Sequence, residues 1–204
     1  MALKLHHLNA SRSQRIVWLL LELGAAHEVV HHKRNETTRL APADLKKIHP
    51  LGKSPLLEDG DVVIAETGAI AEYLLAKFDT GHKLHPAPDS PDFPRYLEWI
   101  HSAEGAVFLP GLLALYTGMA GITEGPVAQM IASEREKVAA HIEAHLSKHA
   151  YFAGATFTAA DCLMGFQIVM THAQGGLANR PATKAWLDRI TARPAYQAML
   201  AVGV

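Results

Sequence analysis

Apolar and polar positions along the first 78 residues change period several times. A short apolar run at 2–8 (ALKLHHL) predicts a strand, and RIVWLLLELG at 15–24 is apolar almost all round, as a buried helix would be. Gly24 supplies its C-terminal stop. HEVVHH at 27–32 predicts a second strand and PADLKKI at 42–48 a short helix. Two apolar runs around Asp59-Gly60, within 54–66, predict a hairpin, because Asp-Gly is a strong turn dipeptide. The helix at 67–78 would place Ile70, Tyr73, Leu74 and Phe78 on one face.

The resulting order, β-α-β-α-β-β-α, joins a parallel pair through the first helix to a terminal antiparallel hairpin, which makes a small α/β fold with a mixed sheet. Residues 79–94 hold four prolines, a glycine and little apolar content, and read as a linker. Strand signals then nearly vanish. Residues 95–118 predict a long helix or helix pair interrupted at Pro110. Residues 126–149 begin with a proline in the first turn and put Met130, Ile131, Val138, Ile142 and Leu146 on one stripe. Residues 158–173 are apolar enough for the central helix of a bundle, and two shorter helices follow at 181–193 and 194–200. The expected organisation is α/β plus all-α, with domains at 1–78 and 95–204.

Composition narrows the function classes. The 204 residues are 49% hydrophobic and 19% charged, which fits an ordinary globular chain with room for two small domains. With 19 basic and 20 acidic side chains the net charge is −1, so no global field draws the chain to nucleic acid or to a membrane. The run HHKRN at 31–35 reads as a solvated strand end, since no aromatic stacking platform accompanies it. One cysteine, Cys162, excludes an internal disulfide and fits a reducing compartment as a small core residue. No signal peptide and no uninterrupted apolar run of about 18 residues is seen, so a cytoplasmic location is the default expectation.

Three motifs carry the candidate chemistry. SRSQRIVWLLLELG stands at the first strand-to-helix junction. HPLGKSPLLEDGDVVIAETGAIAEYL (49–74) opens its hairpin with Gly-Lys-Ser-Pro and its last helix with Glu66-Thr67. YFAGATFTAAD (151–161) starts a helix in the second domain. In this order and spacing they resemble the cytosolic glutathione transferase family, and the resemblance covers essentially the whole chain. The first motif is closest to the serine-type and fungal or bacterial branches. It lacks the tyrosine or cysteine of the others, so a mixed-disulfide mechanism has no local nucleophile.

The resemblance implies a thioredoxin-like first domain that binds glutathione as co-substrate, without a metal, and a helical second domain that carries the pocket for an apolar electrophile. Ser54-Pro55 would be cis, with the Ser54 backbone pairing like a strand edge with the cysteinyl unit. Thr67 would bind the γ-glutamyl carboxylate at a helix N-terminus. Glu66 would accept from the γ-glutamyl ammonium, and Lys53 would meet the glycyl carboxylate. The family position of Thr67 is usually serine, and threonine keeps the hydroxyl. A homodimer and detoxification chemistry, with hydroperoxide reduction as a side activity, are further implications.

At the opening junction two readings are compatible. Ser11 with Gln14 three residues on fits a capping box. The same hydroxyl could donate to the glutathione sulfur. A free thiol titrates near 8.5. Lowering that by ~2 units needs ~2.7 kcal/mol of preference for the anion, within reach of one hydrogen bond to a charged group at roughly 1.5–3 kcal/mol. Ser11 is the leading catalytic candidate, Asn9 and Ser13 are the alternates, and Ser13 reads more readily as the cap. A rival reading keeps the fold and the tripeptide site as a non-catalytic glutathione-binding module.

Other features read as structural. His141, His145 and His149 fall at i, i+4, i+8, a spacing able to hold a metal, but they have no nearby carboxylate or cysteine partner. They are expected as a solvated or domain-facing stripe. His6 and His7 are adjacent on a strand and so point to opposite faces. Thr158 and Asp161 form a capping box, which gives Asp161 a structural role. For the second substrate, Leu109, Leu112, Leu113, Tyr116 and Met119 are candidates, about half of them expected in bundle core, and the Tyr116 hydroxyl could assist a leaving group.

Overall fold

A computed structural model describes residues 3–203; Met1, Ala2 and Val204, the outermost residues of the expected strand and domains, lie outside the described residues. The chain forms two compact units, one made of Met1–His85 with Ile190–Val204 and the other of Pro86–Arg189.

The first unit is built on a four-stranded sheet of β1 (Leu3–Leu8), β2 (His27–His32), β3 (Leu56–Asp59) and β4 (Val62–Ala65), in the order β2-β1-β3-β4. β1 runs parallel to β2, from Leu3 opposite His27 to Leu8 opposite His32. It runs antiparallel to β3, and β3 antiparallel to β4 with Asp59 opposite Val62. The mixed sheet is therefore the one the β-α-β and hairpin patterns predict. The crossover helix α1 (Ser13–Leu23) buries Ile16, Val17, Trp18, Leu19 and Leu20, which explains why its sequence is apolar nearly all round. Gly24 ends it in the left-handed conformation (φ 61°), where its N–H reaches the Leu20 and Leu21 carbonyls. α2 (Leu45–Ile48) is a single turn.

α3 (Thr67–Phe78) buries Ile70, Ala71, Leu74 and Leu75, whereas Phe78, expected on the same face, is exposed. The residues after α3 are not a slack linker. The Asp79 carboxylate accepts the N–H groups of Lys83 (2.9 Å), Leu84 (2.7 Å) and His85 (3.1 Å) and the His85 ring (2.8 Å). Burial pushes the Asp79 carboxyl up, but these donors outweigh it and hold the carboxyl below its ordinary value.

The tail rejoins this unit. α9 (Pro194–Ala201) places Tyr196 edge-on against Trp18, with ring centroids 5.1 Å apart. An expectation that gave all of 95–204 to the helical domain thus differs from the structure, in which Ile190–Val204 belongs with the sheet. The reason is a long-range pairing between α1 and α9 that no local pattern encodes.

The second unit holds α4 (Phe93–Ser102), α5 (Leu109–Met119), α6 (Gly125–Leu146), α7 (Ala159–Ala173) and α8 (Pro181–Thr191). α4 and α5 are joined by a π-helical stretch, Ala103–Phe108, so the break expected at Pro110 is a widened turn. Pro110 lacks an N–H and its ring would crowd the preceding turn, and the wider turn ahead of it relieves that conflict. On α6, Ile131, Ile142 and Leu146 are buried as expected, Val138 is half-buried, and Met130 is exposed. α7 supplies the centre, with Ala159, Ala160, Cys162, Leu163 and Met164 buried. The capping box of Thr158 and Asp161 is formed. Asp161 also accepts the Trp186 indole N–H (2.8 Å) and the Phe152 N–H (3.1 Å), tying α8 and the loop before α7 to one carboxyl group.

Candidate active site

The Gly-Lys-Ser-Pro turn and the Glu66-Thr67 helix start, 13 residues apart, line one small groove of the first unit. Its wall includes Lys53, Ser54, Pro55, Glu66 and Thr67, together with Arg12. Gly52 sits at φ 57°, a left-handed turn that favours glycine, and turns the chain just ahead of Lys53. The Ser54-Pro55 peptide is cis. Ser54 is buried and its hydroxyl donates to the His6 carbonyl of β1 (2.8 Å), which fixes the turn to the sheet.

Glu66 stands at φ 73° and ψ 126° immediately before α3, a conformation that non-glycine residues rarely adopt. Strain of this kind, of order 1–3 kcal/mol, persists where the surroundings hold it, and it clusters at ligand sites. Glu66 is exposed in the groove, while Thr67, the first residue of α3, is 2% exposed. The Arg15 guanidinium donates to the Thr67 hydroxyl at 3.5 Å. Lys53 is exposed. The groove thus offers the cations Arg12 and Lys53, a helix N-terminus and a single carboxylate, complementary to a ligand with separate carboxylates and an ammonium.

The junction after β1 differs from a simple capping box. α1 begins at Ser13 with Arg12 as its N-cap residue, and the Arg12 side chain makes no capping bond. Ser11 Oγ accepts the Ser13 backbone N–H at 3.3 Å, and the expected reciprocal bond from Gln14 is not formed. Ser13, expected as the cap, instead accepts the Leu8 N–H (3.2 Å) and is fully buried. Asn9 uses its Oδ1 to accept the Arg34 N–H (2.8 Å), which holds it to the chain after β2. Ser11 does not itself line the groove, but Arg12, the next residue, does.

Arg12 and Arg15 escaped the sequence reading. An arginine inside an otherwise apolar helix start was the available signal for Arg15, which is 2% exposed. His49 and Leu51, which also line the groove, carried no distinguishing signal.

The candidates for the second substrate lie on α5. Leu109, Leu113, Tyr116 and Met119 are exposed and Leu112 is half-buried, so none of the five is bundle core. They do not line a cavity of about 290 Å³ in the helical unit, whose wall includes Val107, Gly111, Ile142, Gln167 and Arg180.

The histidines of α6 do not behave as one stripe: His141 stacks on Trp99 (5.0 Å between centroids) yet stays exposed, 4.0 Å from the Glu98 carboxylate, whereas His145 turns inward against Trp99 and donates from Nε2 to the Phe152 carbonyl at 3.0 Å. Among the described residues no group of three or more His, Cys, Asp or Glu side chains could hold a metal, and no helix is long and apolar enough to cross a membrane.

Comparison with known proteins bears on the whole chain. The glutathione S-transferase N-terminal domain matches residues 1–76 and the C-terminal domain residues 123–194. Glutathione S-transferase 3 of Schizosaccharomyces pombe is 33% identical over 94% of this chain and 84% of its own length. Glutathione S-transferase 1 of Saccharomyces cerevisiae is 30% identical over 96% of this chain and 93% of its own. A crystal structure of a glutathione S-transferase from Actinobacillus pleuropneumoniae superposes with a TM-score of 0.88 at 34% identity, covering 98% of this chain and 92% of that one. This chain belongs to the glutathione S-transferase family.

Proposed function

We propose that this glutathione transferase activates its co-substrate at Ser11, whose hydroxyl donates to the sulfur of bound glutathione and holds it as the thiolate. The thiol proton leaves to water. The sulfur lone pair then forms a bond to an electrophilic carbon, and the leaving group departs with its electron pair. Ser11 itself stays protonated throughout. Its contribution is a hydrogen bond stronger to the thiolate than to the thiol, helped by the positive end of α1.

The observation that carries this reading is the groove in which Lys53, Ser54, Pro55, Glu66 and Thr67 converge beside Arg12, the neighbour of Ser11. In it, Thr67 and the start of α3 take the γ-glutamyl carboxylate, Glu66 the ammonium, Lys53 the glycyl carboxylate, and the Ser54 backbone the cysteinyl unit. Of the alternates, Ser13 is wholly buried, which favours Ser11 over it. On this reading the enzyme is of the serine type.

The exposed apolar side chains Leu109, Tyr116 and Met119 of α5, with the half-buried Leu112, are proposed to take an apolar electrophile. The apolar surface around them, with Leu115, Ile122 and Met130 also exposed, is of the kind a homodimer covers. Detoxification in the cytoplasm is the corresponding role.

The test is steady-state conjugation with a panel of electrophiles and hydroperoxides, on native protein and on Ser11→Ala. Loss of about 10- to 100-fold in kcat with glutathione KM little changed supports the assignment. Unaltered kcat would contradict it.

A further inference from the structure

The Ser11 hydroxyl is the outer end of a buried chain of polar groups. Ser11 Oγ lies 2.7 Å from Ser13 Oγ, and Ser13 Oγ lies 2.8 Å from His7 Nδ1. His7 is 1% exposed and its second ring nitrogen, Nε2, is sealed from solvent with no hydrogen-bond partner among the described residues. The groups facing the ring are histidines: His31, edge-on at 5.6 Å between centroids, and His32 further along β2. Desolvation by burial, and then those two neighbours, draw the His7 pKa from 6.5 down to about 4, so the ring is neutral at physiological pH.

The orphaned nitrogen decides the tautomer. A neutral imidazole carries one N–H and one lone pair. Buried N–H groups without an acceptor are the rarer exception, so the hydrogen belongs on Nδ1 and the lone pair on Nε2. Nδ1–H then donates to Ser13 Oγ. The Ser13 hydroxyl can turn to Ser11 Oγ at 2.7 Å or to the Leu8 carbonyl at 3.4 Å, and the shorter bond wins. Ser11 Oγ, which also accepts the Ser13 N–H, is left with its own hydrogen uncommitted. The opposite polarity would commit the Ser11 hydrogen to Ser13 and leave nothing for a ligand.

We propose that His7 is a positioning residue that, through Ser13, points the Ser11 hydroxyl outward to donate to the glutathione sulfur. The inference rests on the Ser11 reading given above. It extends that reading to two residues that never touch the ligand. Because the polarity of the chain is set before glutathione binds, the donor needs no reorientation when the thiolate forms.

Two measurements test it. Long-range proton–nitrogen spectra of the native protein, without ligand, read the His7 tautomer directly; a hydrogen on Nδ1 is expected, and a hydrogen on Nε2 would overturn the proposal. Thiolate absorbance of bound glutathione is then titrated in native protein, His7→Leu, His7→Asn, Ser13→Ala and Ser11→Ala. His7→Leu and Ser13→Ala are expected to raise the thiol pKa by about one unit, a roughly tenfold loss of thiolate at neutral pH. His7→Asn, whose amide N–H takes the place of Nδ1–H, should keep the native value. A native thiol pKa in folded His7→Leu, with the shift abolished in Ser11→Ala, would overturn the role of His7 while sparing that of Ser11. A native thiol pKa in Ser11→Ala would overturn both. Should His7→Leu not fold, the tautomer and Ser13→Ala still decide.

Discussion

Arg193, just before α9, donates from Nε and Nη2 to the two carboxylate oxygens of Glu22 on α1, at 2.6 and 2.7 Å. The same carboxylate accepts the Trp18 indole N–H at 2.9 Å. The C-terminal segment is thereby clamped to the helix whose other end carries the Ser11 junction. A fork-to-fork pair with one carboxylate nearly buried is worth more than an exposed ion pair. Arg193→Ala should therefore cost about 1.5–3 kcal/mol in urea unfolding. Arg193→Lys, which keeps charge but loses the fork, should fall between. Equal stability of all three would contradict the clamp.

Asp161 is fully buried and each of its oxygens accepts from two groups: the Phe152 N–H and Trp186 indole on one, the Thr158 N–H and hydroxyl on the other. Asp161→Ala strands these donors and should cost about 3–5 kcal/mol, read as the loss in denaturant midpoint of the helical unit. A cost under about 1 kcal/mol would show that the donors find other partners.

Glu66 combines a positive φ with an exposed carboxylate in the groove. Glu66→Gly should relieve the backbone and raise stability by a few tenths to about 1 kcal/mol, while weakening glutathione binding. Calorimetric titration beside thermal unfolding separates the two effects. A variant that is less stable, or that binds as the native protein does, would contradict a strained binding residue.

Acid should act through the buried histidines. Burial first, and His149 next, draw the His145 pKa from 6.5 to about 4. Between those values the unfolded chain holds more protons than the folded one, so this group's stability is present above pH 6.5 and is lost as the pH falls towards 4. His7 adds in the same sense. Asp161 opposes them, since burial raises its carboxyl to about 6 and its contribution fades as the pH rises through that value. The informative quantity is therefore the difference between native protein and His145→Gln, which keeps a donor for Phe152 and does not titrate. The gap in unfolding free energy should change steadily between pH 6.5 and about 4, and a gap independent of pH would contradict it.

Much of this was legible in the chain where chemistry is local. Asp59-Gly60 marked the hairpin, and Gly-Lys-Ser-Pro and Glu66-Thr67 marked the two ends of the groove, because turn and helix-start residues are chosen by their own backbone. Alternation placed His6 and His7 on opposite faces. His6 meets His32 (3.0 Å) and the Glu58 carboxylate, whereas His7 meets Ser13. What stayed illegible depends on distant partners: α9 on α1, the burial of Arg15, the inward packing of His145, and the commitment of Ser13 to β1 rather than to a cap. The exposure of Met130 has the same origin, since periodicity orders a helix face without saying which part of it a neighbour covers.

The central claim is that Ser11 stabilises the thiolate. The ultraviolet absorbance of the thiolate of bound glutathione, followed from acid to alkaline pH, measures this directly. In native protein the bound thiol pKa should lie about 2 units below the free value, rising by most of that in Ser11→Ala. A depressed pKa that survives the substitution would contradict it.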